Sequence, residues 1–333
     1  MKNTSVLLSG MRPTGPMHLG HLVGALNNWL KLQESYRCFF MVADWHALMS
    51  EYKDPQIIKN YTIDNVIDWL SVGIDPNRSV IFKQSDVEEH LELAMILATI
   101  TPLSWLQRCP TYKEQMKQLK LKDISNYAFL GYPVLQAADI LLYKAEVVPI
   151  GEDQLPHLEL AREIARRFHH LYKREVFVLP SSLLTEESRL LGIDNRKMSK
   201  SYNNYIALSE KPSDIKRKVL SMITDPKKIK KTDSGNPKIC NVYTYHRIFT
   251  DDKIKQKLSL KEIASSCQEG RLGCVECKGM LASKLIVFLE GIQQKRRFYN
   301  KELVLEILAK GAQRAKEVAS STLKEVKSIV GII

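Results

Sequence analysis

The stretch that decides the fold is VLLSGMRPTGPMHLGHLVGAL, residues 6–26. It opens with a short apolar run of the kind that forms a buried strand. A loop rich in Gly and Pro follows, and then a helix start. In a doubly wound parallel sheet this order marks the place where phosphates bind, because the free N–H groups at a helix start attract anions. Gly10, Gly15 and Gly20 permit tight turns and close backbone approach. His18 and His21 stand three apart at the helix start and so share a face. Two imidazoles there can donate hydrogen bonds to phosphate oxygens as charge develops. A lone histidine in this place is more often a cap or a satisfied polar residue. The pair, as H-x-G-H directly after a strand, is the more specific signal.

The alternation continues outward. CFFMVAD (38–44), VIFKQS (80–85), VVPIG (147–151) and VFVLP (176–180) read as further buried strands. Between them LGHLVGALNNWLKLQ puts Leu19, Leu22, Val23, Leu26, Trp29 and Leu30 on one helical face, and LPHLELAREIARRFHH does the same with Leu155, Leu158, Ile164 and Phe168. Strands alternating with helices imply an α/β fold, a doubly wound, Rossmann-like parallel sheet covered on both faces. After residue 205 the strand signals fade and helical segments follow, ending in KELVLEILAKGAQRAKEVASSTLKEVKSIVG. The expected division is a nucleotide-binding catalytic domain over 1–205 and an α-helical domain over 206–333, with the last helix free to return to the first domain.

Length and charge fit that division. The 333 residues, 44% apolar, suffice for two domains with a sizeable core. Residues 1–205 carry 23 Lys+Arg and 23 Asp+Glu, whereas residues 206–333 carry 26 and 14, so the net charge of +12 lies entirely in the second part. A neutral front and a basic back fit a small-molecule domain joined to one that meets a polyanion; the bland alternative is a solvated basic surface. No apolar run reaches the length of a membrane span. The N-terminal MKNTSVLLSGMRPTG does not read as a signal peptide. A cytoplasmic location with no membrane partner is expected.

A second motif lies in RKMSKSYNN, residues 196–204. Lys197 and Lys200 sit in a turn-rich, non-periodic segment, spaced so that both ammonium groups reach one polyphosphate. Taken alone, a lysine pair is usually a solvated loop. Together, H-x-G-H and K-M-S-K-S resemble the signature pair of class I aminoacyl-tRNA synthetases. Within that class, YPVLQAADILLYKAEVVPIGEDQLPHLELAREIARRF (132–168), SGMRPTGPMHLGHLVGALNNW and VADWHAL look like the tryptophanyl-tRNA synthetase family, and the likeness runs over essentially the whole chain.

The resemblance implies activation of L-tryptophan with ATP and Mg²⁺ to the adenylate and pyrophosphate, then transfer to the 3′-terminal ribose of tRNA(Trp), by a homodimer. It makes His18, His21, Lys197 and Lys200 the catalytic residues. Arg12, Pro13, Thr14 and Gly20 would lie along the ATP, Gly151, Glu152 and Asp153 at its ribose, Leu190 at the adenine, and Met198, Ser199 and Ser201 in the closing loop. Asp139 would accept a hydrogen bond from the indole N–H, Tyr132 and Gln154 would meet the substrate amino group, and His46 would lie near the indole. An acceptor facing the indole rejects Phe, which would leave a buried carboxylate unpaired. Gln136 stands where many members of the family have an apolar Met; it resembles one branch of the family and also the L-Q-x-x-D arrangement of tyrosyl-tRNA synthetases. Tyrosine specificity is the alternative, against which GEDQ argues. A third reading is a non-charging relative that binds tryptophan or RNA.

The basic segment 211–238 holds nine Lys/Arg in 28 residues. In the family, this helical domain receives the anticodon, with salt-dependent affinity. The same part of the chain holds Cys240, Cys267, Cys274 and Cys277, spaced C-x26-C-x6-C-x2-C. A C-x2-C pair reads as a redox dithiol, half of a metal site, or coincidence, and a redox dithiol wants a βαβ context that is missing here. Four thiolates suit tetrahedral Zn²⁺ or a [4Fe–4S] cluster, and spacing does not choose between them. Some bacterial tryptophanyl-tRNA synthetases carry a similar pattern that binds [4Fe–4S], so the resemblance implies a structural cluster, with Zn²⁺ as the alternative.

Overall fold

The computed structural model of the chain describes residues 5–110, 126–184, 190–249 and 258–333, apart from the side chain of Ser201. Four of the apolar runs become strands where expected: β1 (Val6–Met11), β2 (Arg37–Val42), β3 (Val80–Lys83) and β4 (Val147–Ile150). Runs this apolar need cover on both faces, as in a parallel sheet. With β5 (Ser181–Leu184) they form one sheet in the order β3-β2-β1-β4-β5. All the pairings are parallel, with β1 and β2 in register from Val6↔Arg37 to Met11↔Val42. The chain therefore runs outward from β1 through β2 and β3, then returns to the opposite side of β1. That reversal opens a crevice at the carboxyl ends of β1 and β4, where sheets of this kind bind ligands.

The run 176–180 departs from the expectation and is not a strand. Val176 and Phe177 are buried in the core, but Val178 and Leu179 face outward. Pro180 has no N–H to give to a ladder. Pairing begins one residue later, where the Ser181 N–H donates to the Glu146 carbonyl at 2.8 Å.

The helical run after the first loop also departs from a uniform 3.6-residue period. It is α-helical over Leu19–His21, a π-helix over Leu22–Leu26, and α-helical again over Asn27–Leu32. Such wide turns often accompany functional sites. Leu19, Leu22, Leu26 and Trp29 are buried, while Val23 and Leu30 are only partly so.

Two compact units divide the chain, and they interleave: 1–15, 28–186 and 299–333 form the first, 16–27 and 187–298 the second. A single cut near residue 205 does not follow this division, because the 196–204 loop belongs with the second unit and the last helix with the first. In the first unit, the helix Lys301–Ile329 packs on β3 and on the helices Gln56–Val72, Glu89–Ile100 and Tyr127–Leu142. Arg314 fixes it by donating to the Pro76 and Ser79 carbonyls. Lys327 pairs with Glu92 at 2.7 Å. The second unit is built on the helices Pro212–Leu220, Asn241–Ile248, Leu260–Gln268 and Cys274–Arg296. Ser259 and Glu262 start the third of these with a reciprocal capping box. Among the described residues, no helix is long and apolar enough to cross a membrane.

Candidate active site

The second unit brings the two signature motifs together. Residues 17–19 run antiparallel beside 206–208: the Leu19 N–H donates to the Ile206 carbonyl at 3.0 Å, and the Leu208 N–H to the Met17 carbonyl at 2.9 Å. The Gly20 N–H points at Met198 Sδ, 3.2 Å away. A side chain on Gly20 would meet the His18 ring at 3.0 Å and Met198 Sδ at 3.1 Å, so glycine is what lets the motifs touch.

The His18 and His21 rings lie against each other at a tilt of 32°, with centroids 3.7 Å apart. The His18 backbone N–H donates to His21 Nδ1 at 3.2 Å, which assigns the hydrogen of a neutral His21 ring to Nε2. Burial, followed by the charge of Lys200, pushes His18 down to about 3. Burial, then His18 and Lys200, holds His21 well below its ordinary value. Both rings are therefore neutral near pH 7, so what they can offer is N–H donors rather than fixed cations.

The loop carrying the lysines is pinned from one side. Asn204 Nδ2 donates to the Lys197 carbonyl at 3.1 Å and to Asp194 at 2.7 Å, and its Oδ1 accepts from the Ser199 N–H at 2.8 Å. A Cβ on Gly192 would lie 2.4 Å from Asn204 Nδ2, so this glycine makes room for the pin. Lys197 is exposed, Lys200 and Ser199 are partly buried, and Leu190 and Met198 are buried. Nothing is described for the Ser201 side chain.

The first unit gathers the other predicted residues at the carboxyl ends of its strands. Arg12, Pro13 and Thr14 follow β1, and Arg12 Nη1 donates to Ser50 Oγ at 3.5 Å. Gly151 follows β4 and opens a 3₁₀ turn, Glu152–Gln154, in which Glu152 and Asp153 are exposed. Tyr132, Gln136 and Asp139 lie on the helix Tyr127–Leu142 at i, i+4 and i+7, hence on one face. Gln136 is partly buried.

Asp139 is 2% exposed. Its Oδ2 takes His46 Nε2 at 2.8 Å, and its Oδ1 takes Gln84 Nε2 at 2.8 Å and His90 Nδ1 at 2.7 Å. Burial opposes the charge, but the hydrogen bonds and charge from His46 and His90 outweigh it, and Asp139 is held below the usual carboxylate range. Nearby, Tyr132 Oη meets His157 Nε2 at 2.7 Å, and His157 Nδ1 meets Gln154 Oε1 at 3.0 Å. The amide oxygen can only accept, so Nδ1 carries the hydrogen and the neutral ring accepts from the Tyr132 hydroxyl. Burial first, then the charge of His46, lowers His157 to about 4, consistent with a neutral ring. Gln84, His90, His157 and Asn204 were not singled out from the sequence. The available signal was polar residues set at a strand end or inside an apolar helix.

Cys240 caps the helix Asn241–Ile248, Cys267 lies in Leu260–Gln268, and Cys274 and Cys277 occupy the first turn of Cys274–Arg296. All are free thiols. They lie in one neighbourhood: burial, then the charges of Cys240, Cys267 and Cys274, pushes Cys277 up to about 12. Among the described residues, however, no three His, Cys, Asp or Glu side chains converge as a metal-ligand set.

With this geometry in view, the comparisons with known proteins are specific. Residues 1–290 match the class I tRNA synthetases for tryptophan and tyrosine. A tryptophan–tRNA ligase of Thermotoga maritima is 47% identical over 98% of this chain and 99% of its own length. One of Aquifex aeolicus is 41% identical over 98% of this chain and 99% of its own. The crystal structure of the Campylobacter jejuni tryptophanyl-tRNA synthetase, complexed with ADP and tryptophan, superposes with a TM-score of 0.87 at 31% identity, covering 98% and 99% of the two chains.

Proposed function

Because the chain belongs to the class I tRNA synthetases for tryptophan and tyrosine, we infer that its two side-chain constellations divide one reaction between them. The chain is a tryptophan–tRNA ligase. The tryptophan carboxylate attacks the α-phosphorus of ATP, pyrophosphate leaves, and the adenylate passes its acyl group to the terminal ribose of tRNA(Trp). Such reactions need positioning and charge stabilisation rather than covalent help from the protein.

In this reading His18 and His21 donate N–H hydrogen bonds to the phosphates, and Lys197 and Lys200 neutralise the departing pyrophosphate. Arg12–Thr14, Gly151–Asp153 and Leu190 hold the nucleotide. Mg²⁺ comes with the nucleotide, as is typical of the family, and supplies charge neutralisation at the phosphates. Asp139 accepts from the indole, with His46 and Gln136 beside it, and Tyr132 and Gln154 take the amino group. The observation that carries the assignment is the packing of H-x-G-H against K-M-S-K-S through Gly20 and Met198. The test is tryptophan-dependent ATP–pyrophosphate exchange. Lys200→Ala is expected to lower kcat with little change in tryptophan binding, and an unchanged exchange rate would remove Lys200 from the mechanism.

Residues 206–333 supply the basic surface for the anticodon arm, and the protein works in the cytoplasm as a homodimer. The dimer is what the family resemblance supports; a monomer in sedimentation analysis would refute it. Cys240, Cys267, Cys274 and Cys277 hold a structural [4Fe–4S] cluster, or Zn²⁺ in its place. Besides the shared neighbourhood, the amine of Lys284 supports this. It is buried and has no hydrogen-bond partner among the described residues, and burial, which lowers its pKa, is opposed only by Cys277. An unpartnered ammonium fits a site that becomes anionic when four thiolates bind a metal. Elemental analysis of anaerobically purified protein decides: iron with sulfide, or stoichiometric zinc, supports the site, and neither withdraws it.

A further inference from the structure

The indole acceptor is itself held by residues outside the assigned site. Oδ1 of Asp139 carries two donors, Gln84 Nε2 and His90 Nδ1, while Oδ2 meets His46 alone among the described residues. Gln84 and His90 are both fully buried, so neither meets the substrate-facing solvent. The far nitrogen of His90, Nε2, lies 2.8 Å from Tyr143 Oη.

A carboxylate only accepts, so His90 Nδ1 must carry a hydrogen, and the Tyr143 hydroxyl meets the ring at its other nitrogen, Nε2. Burial, followed by the charges of Asp139 and Glu89, keeps the Tyr143 hydroxyl protonated and able to donate. Phe82 stacks on the His90 ring at 6.0 Å between centroids and lies edge-on to Tyr143 at 5.6 Å, which limits rotation of both. Tyr143 follows the last turn of the helix that carries Asp139, so acceptor and relay move as one piece.

We propose that His90, oriented by Tyr143 and assisted by Gln84, is a positioning residue that ties down Oδ1 of Asp139 and so reserves Oδ2 for the indole N–H of tryptophan. The inference rests on the reading of Asp139 as the indole acceptor and adds what makes that acceptor selective. With Oδ1 occupied, the carboxylate cannot rotate to present a protonated oxygen, and a side chain without an N–H leaves Oδ2 one donor short. Discrimination against such a side chain is what a buried polar reader provides.

The test uses the full chain and ATP–pyrophosphate exchange with two substrates, tryptophan and β-(3-benzothienyl)alanine, which has the same shape with sulfur in place of N–H. In His90→Leu, the preference for tryptophan over the isostere falls by roughly 10- to 100-fold, the range expected for a lost hydrogen bond to a charged group. KM for tryptophan rises and KM for ATP stays the same. Tyr143→Phe, a mild change that keeps the packing, shows the same loss in smaller measure. His90→Asn, whose amide can donate from near the Nδ1 position, recovers much of it. An unchanged preference in folded His90→Leu or in Tyr143→Phe, or losses that fall equally on both substrates, would overturn the proposal. Asp139→Asn separates the two levels. If it abolishes the preference while the His90 and Tyr143 variants keep it, only the positioning role fails; if it keeps the preference, the acceptor reading fails too.

Discussion

A Cβ on residue 20 would press on both signature motifs at once, 3.0 Å from the His18 ring and 3.1 Å from Met198 Sδ. Gly20→Ala must therefore displace the histidine, the loop, or both. The neighbours need give by only a few tenths of an ångström, and since misplacement by about 1 Å costs on the order of 100-fold, kcat for pyrophosphate exchange is expected to fall by up to roughly 10-fold in this variant. Tryptophan binding, measured by fluorescence titration, should hold, since the residues proposed to read the amino acid belong to the other unit. An unaffected kcat would mean that the contact between the motifs has no part in the chemistry. The same scale shows what could be read in advance. His18 and His21 were legible because three residues on a helix are neighbours wherever that helix goes. Asp139 was reached through the family resemblance, and its burial on an apolar helix face is what the structure adds. His157, Gln84 and His90 were not, because each takes its role from partners 25 to 55 positions away, and a lone polar letter reads as surface until those partners are placed. Asn204 was not legible either, since Asp194, Lys197 and Ser199 become its partners only once the loop is folded.

Two glycines inside long helices make opposite demands. Gly291, in the helix Cys274–Arg296, has open space where a Cβ would go. Gly291→Ala is expected to stabilise the protein by about 0.5–1 kcal/mol, the usual helix-interior difference between the two residues. Gly311, in the helix Lys301–Ile329, has the Ile81 carbonyl oxygen only 1.8 Å from the position of that Cβ. There Ala forces the helix off β3, and the overpacking cost of about 1–3 kcal/mol reverses the sign. Urea unfolding of both variants checks the pair, and a stabilised Gly311→Ala would contradict the close packing of the last helix. Elements were legible where an apolar run could only be a covered strand, as in β1 to β4. They were displaced where the partner strand decides the register. The run at 176–180 is as apolar as the others, but its Val178 and Leu179 face outward and pairing starts after Pro180. The last helix was free to return to the first domain on the sequence alone; that it lies on β3 with Gly311 at the Ile81 carbonyl is set by tertiary contacts that helical periodicity does not carry.

At the scale of the molecule, the compact units cut across the basic part that composition marks, because chain contacts rather than charge decide what folds together. One whole-molecule property follows from groups scattered over both units. His18 is lowered to about 3 and His157 to about 4, and His21 lies well below its ordinary value, with burial the first cause in each. Above about pH 6.5, the ordinary histidine value, these rings are neutral in both folded and unfolded chains and add no pH dependence. Below it the unfolded chain takes up protons that the folded chain refuses, so stability falls as pH falls. Each ring contributes about 1.4 kcal/mol per pH unit, and three together give a slope of roughly 4 kcal/mol per unit through the window from about pH 6 to 4. Asp139 acts in the same direction lower down. Its folded pKa is depressed, so its contribution is present above about pH 4 and is lost as pH falls further. Denaturant midpoints should therefore be flat from pH 8 to 7 and drop steeply below pH 6. His157→Gln should lower the slope by about 1.4 kcal/mol per pH unit, since Gln cannot take up the proton in the unfolded state. A stability that stays level from pH 7 to 5 would mean that the buried histidines are already charged in the folded chain. In that case His18 and His21 would meet the phosphates as cations, not as the neutral N–H donors on which the proposed mechanism depends.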